Sequence, residues 1–321
     1  MPIVLEHIGS FCFAKFGNLR STPNDGTHRI ENIDSPQLTI YKVKSDKKVP
    51  AVIVCPGGGY GYVTFNKEGT PIAKWLQKQN IAAVILSYRN PSRREDAFAD
   101  LIATVKTIKE HADEWNIDAN LIGGIGFSAG GHLASLASCY HTKKEFADLL
   151  NITQEEMKIN ACLLSYPVIS MDFGHEGSIK AITGNNEELK KFLSVDKNIT
   201  KDFPKTFIWT TVFDTIVPSI NTTMLINELA KNKITFESHI YPMCDHGLSL
   251  ADDSVFSDDV DKDFDKNVDN MEKYYKEIRK IWTNIWRITW SSSTMWFFCS
   301  SYKFIYNTCY FFRYFNFYSW Y

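Results

Sequence analysis

The sequence predicts an α/β fold: a doubly wound, mostly parallel sheet flanked by helices, with a small partial cap. Short apolar runs rich in β-branched residues alternate with longer amphipathic stretches along most of the chain. Runs such as Ala51-Val52-Ile53-Val54 and Ala82-Ala83-Val84-Ile85-Leu86 are apolar on both faces, as a parallel strand covered by helices on two sides requires. Strand–helix alternation of this kind winds into an open α/β sheet.

The strands are predicted at Leu38–Val43, Pro50–Cys55, Ile81–Tyr88, Leu121–Phe127, Ala161–Pro167, Thr206–Val212 and Phe236–Tyr241. Helices fall between them at Glu68–Gln79, Arg94–Glu114, Ala129–Tyr140 and Ser219–Asn232, with a last one from about 268 to 282. Two polar stretches interrupt the alternation, Lys143–Lys158 and Asp172–Lys201. The second follows a strand at the carboxyl edge of the sheet, where ligands bind in such folds, and is expected to form the partial cap. Asp252–Asp265 is strongly acidic and reads as a solvated loop.

These elements place the folded domain at 34–283, after an N-terminal extension, 1–33, and before a tail, 284–321. From Trp282 onward the chain carries five of its eight tryptophans without helical or strand periodicity. Arg287, Lys303, Arg313 and a serine run interrupt the roughly 18 consecutive apolar residues a membrane anchor needs. The hypothesis for this tail is a frame-shifted or read-through translation, with an interaction tail as the alternative. Intact mass of the natural protein distinguishes them: a product ending near Tyr321 defeats the first.

Bulk properties narrow the function classes. The chain has 321 residues, 44% hydrophobic and 22% charged, with a formal net charge of -2. That balance gives no electrostatic reason for a nucleic-acid or anionic-membrane partner. Its seven cysteines are scattered and lack CxxC spacing, so neither a zinc site nor a disulfide framework is expected. Reduced thiols and an N-terminus unlike a secretory signal point to a cytoplasmic protein.

Chemistry concentrates in Gly126-Phe127-Ser128-Ala129-Gly130, a G-x-S-x-G pentapeptide. A strand runs into it and a helix of small residues runs out, the setting of a nucleophile elbow. The alternative is a glycine-rich turn with an idle serine. Serine needs a base, and in this arrangement the acid and then the histidine follow it along the chain. His246 lies in a turn just after the last strand, whereas His239 sits inside that strand and reads as structural. Asp214 is the first carboxylate past the strand Thr206–Val212, while the neighbouring Asp245 reads as a turn residue. Ser128, Asp214 and His246 are therefore the catalytic candidates. The Pro56-Gly57-Gly58-Gly59-Tyr60-Gly61 run follows an early strand and offers backbone N–H groups, so Gly58 and Gly59, with Ala129, are the oxyanion-hole candidates. It matches neither phosphate-binding loop pattern. His175 and Tyr60 are the candidates for touching substrate; for His175 a plain surface position is the rival reading.

Taken together, these pieces resemble the acetyl-esterase branch of the α/β-hydrolases, near the hormone-sensitive-lipase-like esterases and the acetyl-xylan-esterase or xylanase-associated group. The similarity spans about Asp34 to Ala251. It includes Lys67-Glu68-Gly69, Trp75-Leu76, Tyr166-Pro167-Val168, His175-Glu176-Gly177-Ser178 and His246-Gly247-Leu248-Ser249-Leu250-Ala251. Pro56 stands where many relatives have histidine, and the Tyr88-Arg89-Asn90-Pro91 loop looks shortened. The resemblance implies a serine carboxylic-ester hydrolase for short-chain, acetyl esters, with acetylated sugars or oligosaccharides as candidate substrates and no metal or cofactor. An exopeptidase or amidase with the same triad is the runner-up, and a non-catalytic binding module the third reading.

Overall fold

The computed structural model describes residues 29–90, 94–174, 176–251 and 276–280. The expected acidic loop, the tail, most of the N-terminal extension and most of the last helix lie outside them, as do Cys12, Cys299 and Cys309. The strands are β1 Ile30–Glu31, β2 Gln37–Tyr41, β3 Val49–Cys55, β4 Tyr62–Val63, β5 Ala82–Ser87, β6 Ile117–Phe127, β7 Ala161–Ser165, β8 Lys205–Thr211 and β9 Phe236–Tyr241. Helices are α1 Thr70–Lys78, α2 Arg94–Glu110, α3 Ala112–Trp115, α4 Ala129–Tyr140, α5 Lys144–Leu150, α6 Gln154–Met157, α7 Glu176–Thr183, α8 Glu187–Leu193 and α9 Ile220–Lys231.

Seven strands form one sheet in the order β2-β5-β3-β6-β7-β8-β9. Within this sheet, among the described residues, only β2 is antiparallel to its neighbour and the other pairings are parallel; β1 and β4 form a separate antiparallel pair. The chain steps from β3 outward to β5, then returns across β3 to β6. Winding therefore reverses between β3 and β6, and a crevice opens at the carboxyl ends of these two strands. Their register sets Cys55 opposite Gly126, so the glycine run and Ser128 leave the sheet side by side.

Strands β5 and β7 are buried at every position, in keeping with their apolar composition. In contrast, β9 is only partly buried and Ile240 is 41% exposed, because it is the terminal strand of the described sheet. The expected helix at 94–114 is divided at His111, and α3 ends on Asn116 in the left-handed conformation. Strand β6 begins four residues before the expected Leu121, through a half-solvated stretch whose polar residues hide its strand character. A π-helical turn, Phe65–Gly69, precedes α1.

The two interruptions are helical. Within Lys143–Lys158, α6 opens on a capping box in which Thr153 and Glu156 bond each other's backbone N–H. The 172–201 insertion holds α7 and α8 and is tied down at several points. Tyr140 Oη donates to the Phe192 carbonyl at 2.7 Å, with the Tyr140 and Phe192 rings stacked. The Val195 N–H donates to Ile169 O, and Asn221 Nδ2 to Phe173 O. The insertion is thus a docked wall.

Arg89 meets the buried Asp100 through its Nε and Nη2 at 2.9 and 2.7 Å, pinning the loop after β5 to α2. Losing one partner of such a pair typically costs about 3–5 kcal/mol. Cys55, Cys139, Cys162 and Cys244 are buried thiols. Among the described residues no helix is long and apolar enough to cross a membrane.

Candidate active site

Ser128 stands at the end of β6 with φ 53° and ψ -120°. A non-glycine residue held there carries about 1–3 kcal/mol of strain, sustained only by the surrounding structure. Its N–H donates to Ser165 O at 3.1 Å, and its carbonyl accepts from His132 N and Val168 N. Close packing explains the flanking glycines. A Cβ on Gly130 would lie 2.0 Å from Cys55 O, and one on Gly126 would lie 2.3 Å from Gly130 O. Without side chains there, α4 can press against β3 and present the serine hydroxyl at the crevice.

His246 Nε2 is 2.8 Å from Ser128 Oγ, and His246 Nδ1 is 2.7 Å from Asp214 Oδ2. A proton on Nδ1 suits its carboxylate partner, which leaves Nε2 as the acceptor for the serine hydroxyl. The other Asp214 oxygen accepts from Ile216 N at 3.0 Å and Val217 N at 2.7 Å. Those two bonds fix the carboxylate within its own turn. The Asp214 side chain is fully buried and that of His246 is 15% exposed, so the pair is shielded while the ring edge reaches the crevice.

The loops meet because β8 and β9 are neighbours, with Thr211 opposite Tyr241. Asp245 fastens them, accepting from Thr215 N and Oγ1, both at 2.9 Å, and from His246 N at 2.7 Å. It is a turn residue bound to the Asp214 loop. His239 bonds Glu237 at 2.6 Å on β9 and takes no part in the site.

Gly58 and Gly59 adopt φ of 133° and 62°, both in the region that favours glycine. Among the described residues nothing accepts a hydrogen bond from their N–H groups, and both are half-buried. Ala129 opens α4, so its N–H has no acceptor within the helix. The Gly57 N–H differs: it is held by Glu68 Oε2 at 2.7 Å. Pro56 O accepts from the buried Tyr88 hydroxyl at 2.8 Å, so the loop is braced at consecutive residues.

Tyr60, expected against substrate, instead points into the core and is 3% exposed. Its hydroxyl lies 2.7 Å from His132 Nδ1, and His132 Nε2 lies 2.7 Å from Leu193 O. A carbonyl can only accept, so Nε2 carries the proton and the tyrosine donates to Nδ1. This histidine fastens the glycine loop to the insertion. His175, the other substrate candidate, lies outside the described residues. The nearby Ser178 on α7 does approach the loop: its Oγ is 3.0 Å from where a Cβ on Gly59 would stand.

Burial pushes the His132 imidazole down to about 4. Between pH 6.5 and 4 the unfolded chain therefore takes up a proton that the folded chain refuses, and acid favours unfolding. The effect approaches about 3 kcal/mol at the lower limit. We expect Tm to fall over this interval more steeply in the natural protein than in His132→Gln; equal slopes in thermal melts from pH 6.5 to 4 would count against it.

Sequence reasoning found the three residues now seen in one hydrogen-bonded chain and the glycine loop beside them. It missed what supports them. Glu68, Tyr166 and His132 entered only as members of predicted elements or of the resemblance, with no role assigned to them. Nothing in the local sequence marks Glu68 as buried, because its partners Gly57, Thr64 and Tyr166 converge only in the fold.

Comparison with known proteins agrees with this architecture. The BD-FAE family model matches residues 38–229. The chain is 32% identical over 236 residues to endo-1,4-beta-xylanase B of Butyrivibrio fibrisolvens, covering 69% of this chain and 36% of that protein. It is 37% identical over 123 residues to an acetylxylan esterase of Xylanibacter ruminicola, covering 38% of this chain and 23% of that protein. The chain thus spans about a third or less of the length of these curated relatives. Among solved structures, an acetyl ester-xyloside bifunctional hydrolase from Caldicellulosiruptor lactoaceticus superposes with a TM-score of 0.67 at 30% identity, covering 84% of this chain and 98% of that one. Fold, length of match and identity lead to one assignment: the chain belongs to the BD-FAE family, in an esterase branch of the α/β-hydrolases.

Proposed function

We propose that the protein is a serine carboxylic-ester hydrolase acting on short-chain, acetyl esters, with acetylated xylo-oligosaccharides as the favoured substrate class. One observation carries this: Ser128 Oγ, the His246 ring and Asp214 form a continuous chain of 2.8 and 2.7 Å bonds beside two half-buried N–H groups that have no acceptor among the described residues. Ser128 attacks the ester carbonyl as His246 Nε2 takes its proton, and Asp214 stabilises the imidazolium. The tetrahedral oxyanion is received by the N–H groups of Gly58, Gly59 and Ala129. His246 then returns the proton to the departing alcohol oxygen, leaving Ser128 acylated. Water, deprotonated by His246, cleaves the acyl-enzyme and restores the serine. The catalytic unit runs from about residue 34 to 283, with 172–201 as its partial cap.

The names of the relatives support the acetyl and xylan end of this reading. The test is covalent labelling combined with substrate comparison. Diethyl p-nitrophenyl phosphate should inactivate the protein with one phosphoryl group per chain, found by peptide mass on Ser128. Acetylated xylo-oligosaccharides should be deacetylated, and aminoacyl p-nitroanilides left intact. Inactivation without label on Ser128, or faster turnover of the amides, would overturn the proposal.

A further inference from the structure

We infer that Glu68 is a positioning residue for this hydrolysis, a single buried carboxylate that holds the oxyanion loop and the histidine loop in register; the inference rests on the reading just proposed. Glu68 is 3% exposed. Its Oε2 accepts from Gly57 N at 2.7 Å and from Thr64 Oγ1 at 2.6 Å. Its Oε1 accepts from Tyr166 Oη at 2.7 Å. Its two oxygens thus receive three donors, of the roughly four a carboxylate can accept.

The network reaches the other loop through Tyr166. That hydroxyl donates to Glu68 and accepts from Ser249 N at 2.9 Å, three residues beyond His246. Burial and the adjacent Glu68 carboxylate push the Tyr166 phenol well above its ordinary range, so it stays a donor. Its ring also packs edge-on against the His246 imidazole, with centroids 4.8 Å apart. Ser249 Oγ adds a second tie, donating to Lys67 O at 2.6 Å. Ser249 and Ala251 both have positive φ, so this segment keeps its shape through contacts and not through backbone preference.

On the other arm there is no slack. A Cβ on Gly57 would lie 2.8 Å from Glu68 Oε2 and 3.0 Å from Ser128 Cβ. The peptide that precedes Gly58 is thus wedged between the carboxylate and the nucleophile. A shift at Glu68 moves the oxyanion donors and the base together. Misplacement of about 1 Å in such a constellation can cost about 100-fold in rate.

Two variants test this. Glu68→Gln keeps the shape but turns an amide NH2 toward Tyr166 Oη, which loses its acceptor. Tyr166→Phe cuts only the link to Ser249 and Glu68, leaving Gly57 N–H bonded. Active sites are counted with diethyl p-nitrophenyl phosphate, and turnover of p-nitrophenyl acetate is expressed per counted site. We expect kcat per site to fall about 10- to 100-fold in each, with KM within about threefold, because the loss is in transition-state contacts. The double variant should be scarcely slower than Glu68→Gln alone, since both act on one network. Wild-type kcat per site in the soluble variants, with only Tm lowered, would reduce Glu68 to a fold stabiliser. If Glu68→Gln does not fold, Tyr166→Phe decides by the same criterion. Ser128→Ala separates the two failures: an active Ser128→Ala sinks the hydrolase reading, whereas an inactive one beside wild-type turnover in the other variants sinks only this inference.

Discussion

Ser128→Ala should lower kcat on p-nitrophenyl acetate by at least about 10,000-fold while the protein stays folded. The magnitude follows from the division of labour: loss of the nucleophile removes the acyl-enzyme route, and only the oxyanion donors and a water activated by His246 remain. The fold should tolerate the change because the Ser128 hydroxyl bonds only His246 in the described structure, while its backbone bonds to Ser165, His132 and Val168 are untouched. One such hydrogen bond contributes about 1 kcal/mol net, so Tm should move by a few degrees at most. Steady-state assay with circular dichroism and melting on the same preparation checks both halves. Residual kcat above about 1% of wild type, in a variant free of wild-type contamination, would mean that another group attacks the ester.

The legible part of this site is the part built on local sequence constraints. An elbow needs small residues flanking the serine, and Gly126 and Gly130 announce it because any side chain there would strike backbone. Strands β3 and β5 were visible because burial on both faces demands unbroken apolar runs. The choice of His246 over His239 rested on a strand's end being able to aim a side chain at the crevice, and His239 indeed pairs with Glu237 along β9. What was hidden depends on long-range contact. The two-residue strands β1 and β4 pair with each other and carry no period of their own. Tyr60 gave no sign that it points inward, since its direction is set by His132 on a helix formed much later in the chain. Glu68 looked like an ordinary polar residue because its partners, Gly57, Thr64 and Tyr166, converge only once β3, β6 and β7 are aligned. Local pattern points to the proposed reacting groups; the braces appear only with topology.

The acid poses the sharper test, because Asp214 and Asp245 are both within the two loops that meet at His246. Asp214→Asn should reduce kcat about 10,000-fold with little change in KM or Tm. An asparagine oxygen can still accept from Ile216 N and Val217 N, so the turn that anchors residue 214 survives. Its amide nitrogen then faces His246 Nδ1 and donates to it. That forces the proton onto Nε2, which now donates toward Ser128 Oγ and can no longer take its proton. Asp214→Ala should differ in a telling way: it strands the Ile216 and Val217 N–H groups, costing about 1–3 kcal/mol of stability besides the activity. Combining Asp214→Asn with Ser128→Ala should add almost nothing to the loss from Ser128→Ala alone, as expected of groups that act as a unit. Asp245 bonds Thr215 and the His246 backbone and no ring nitrogen. Its asparagine variant should therefore keep kcat within about tenfold of wild type. If the two aspartates exchanged these phenotypes, the acid would be Asp245 and the orientation of the His246 ring would have to be reversed.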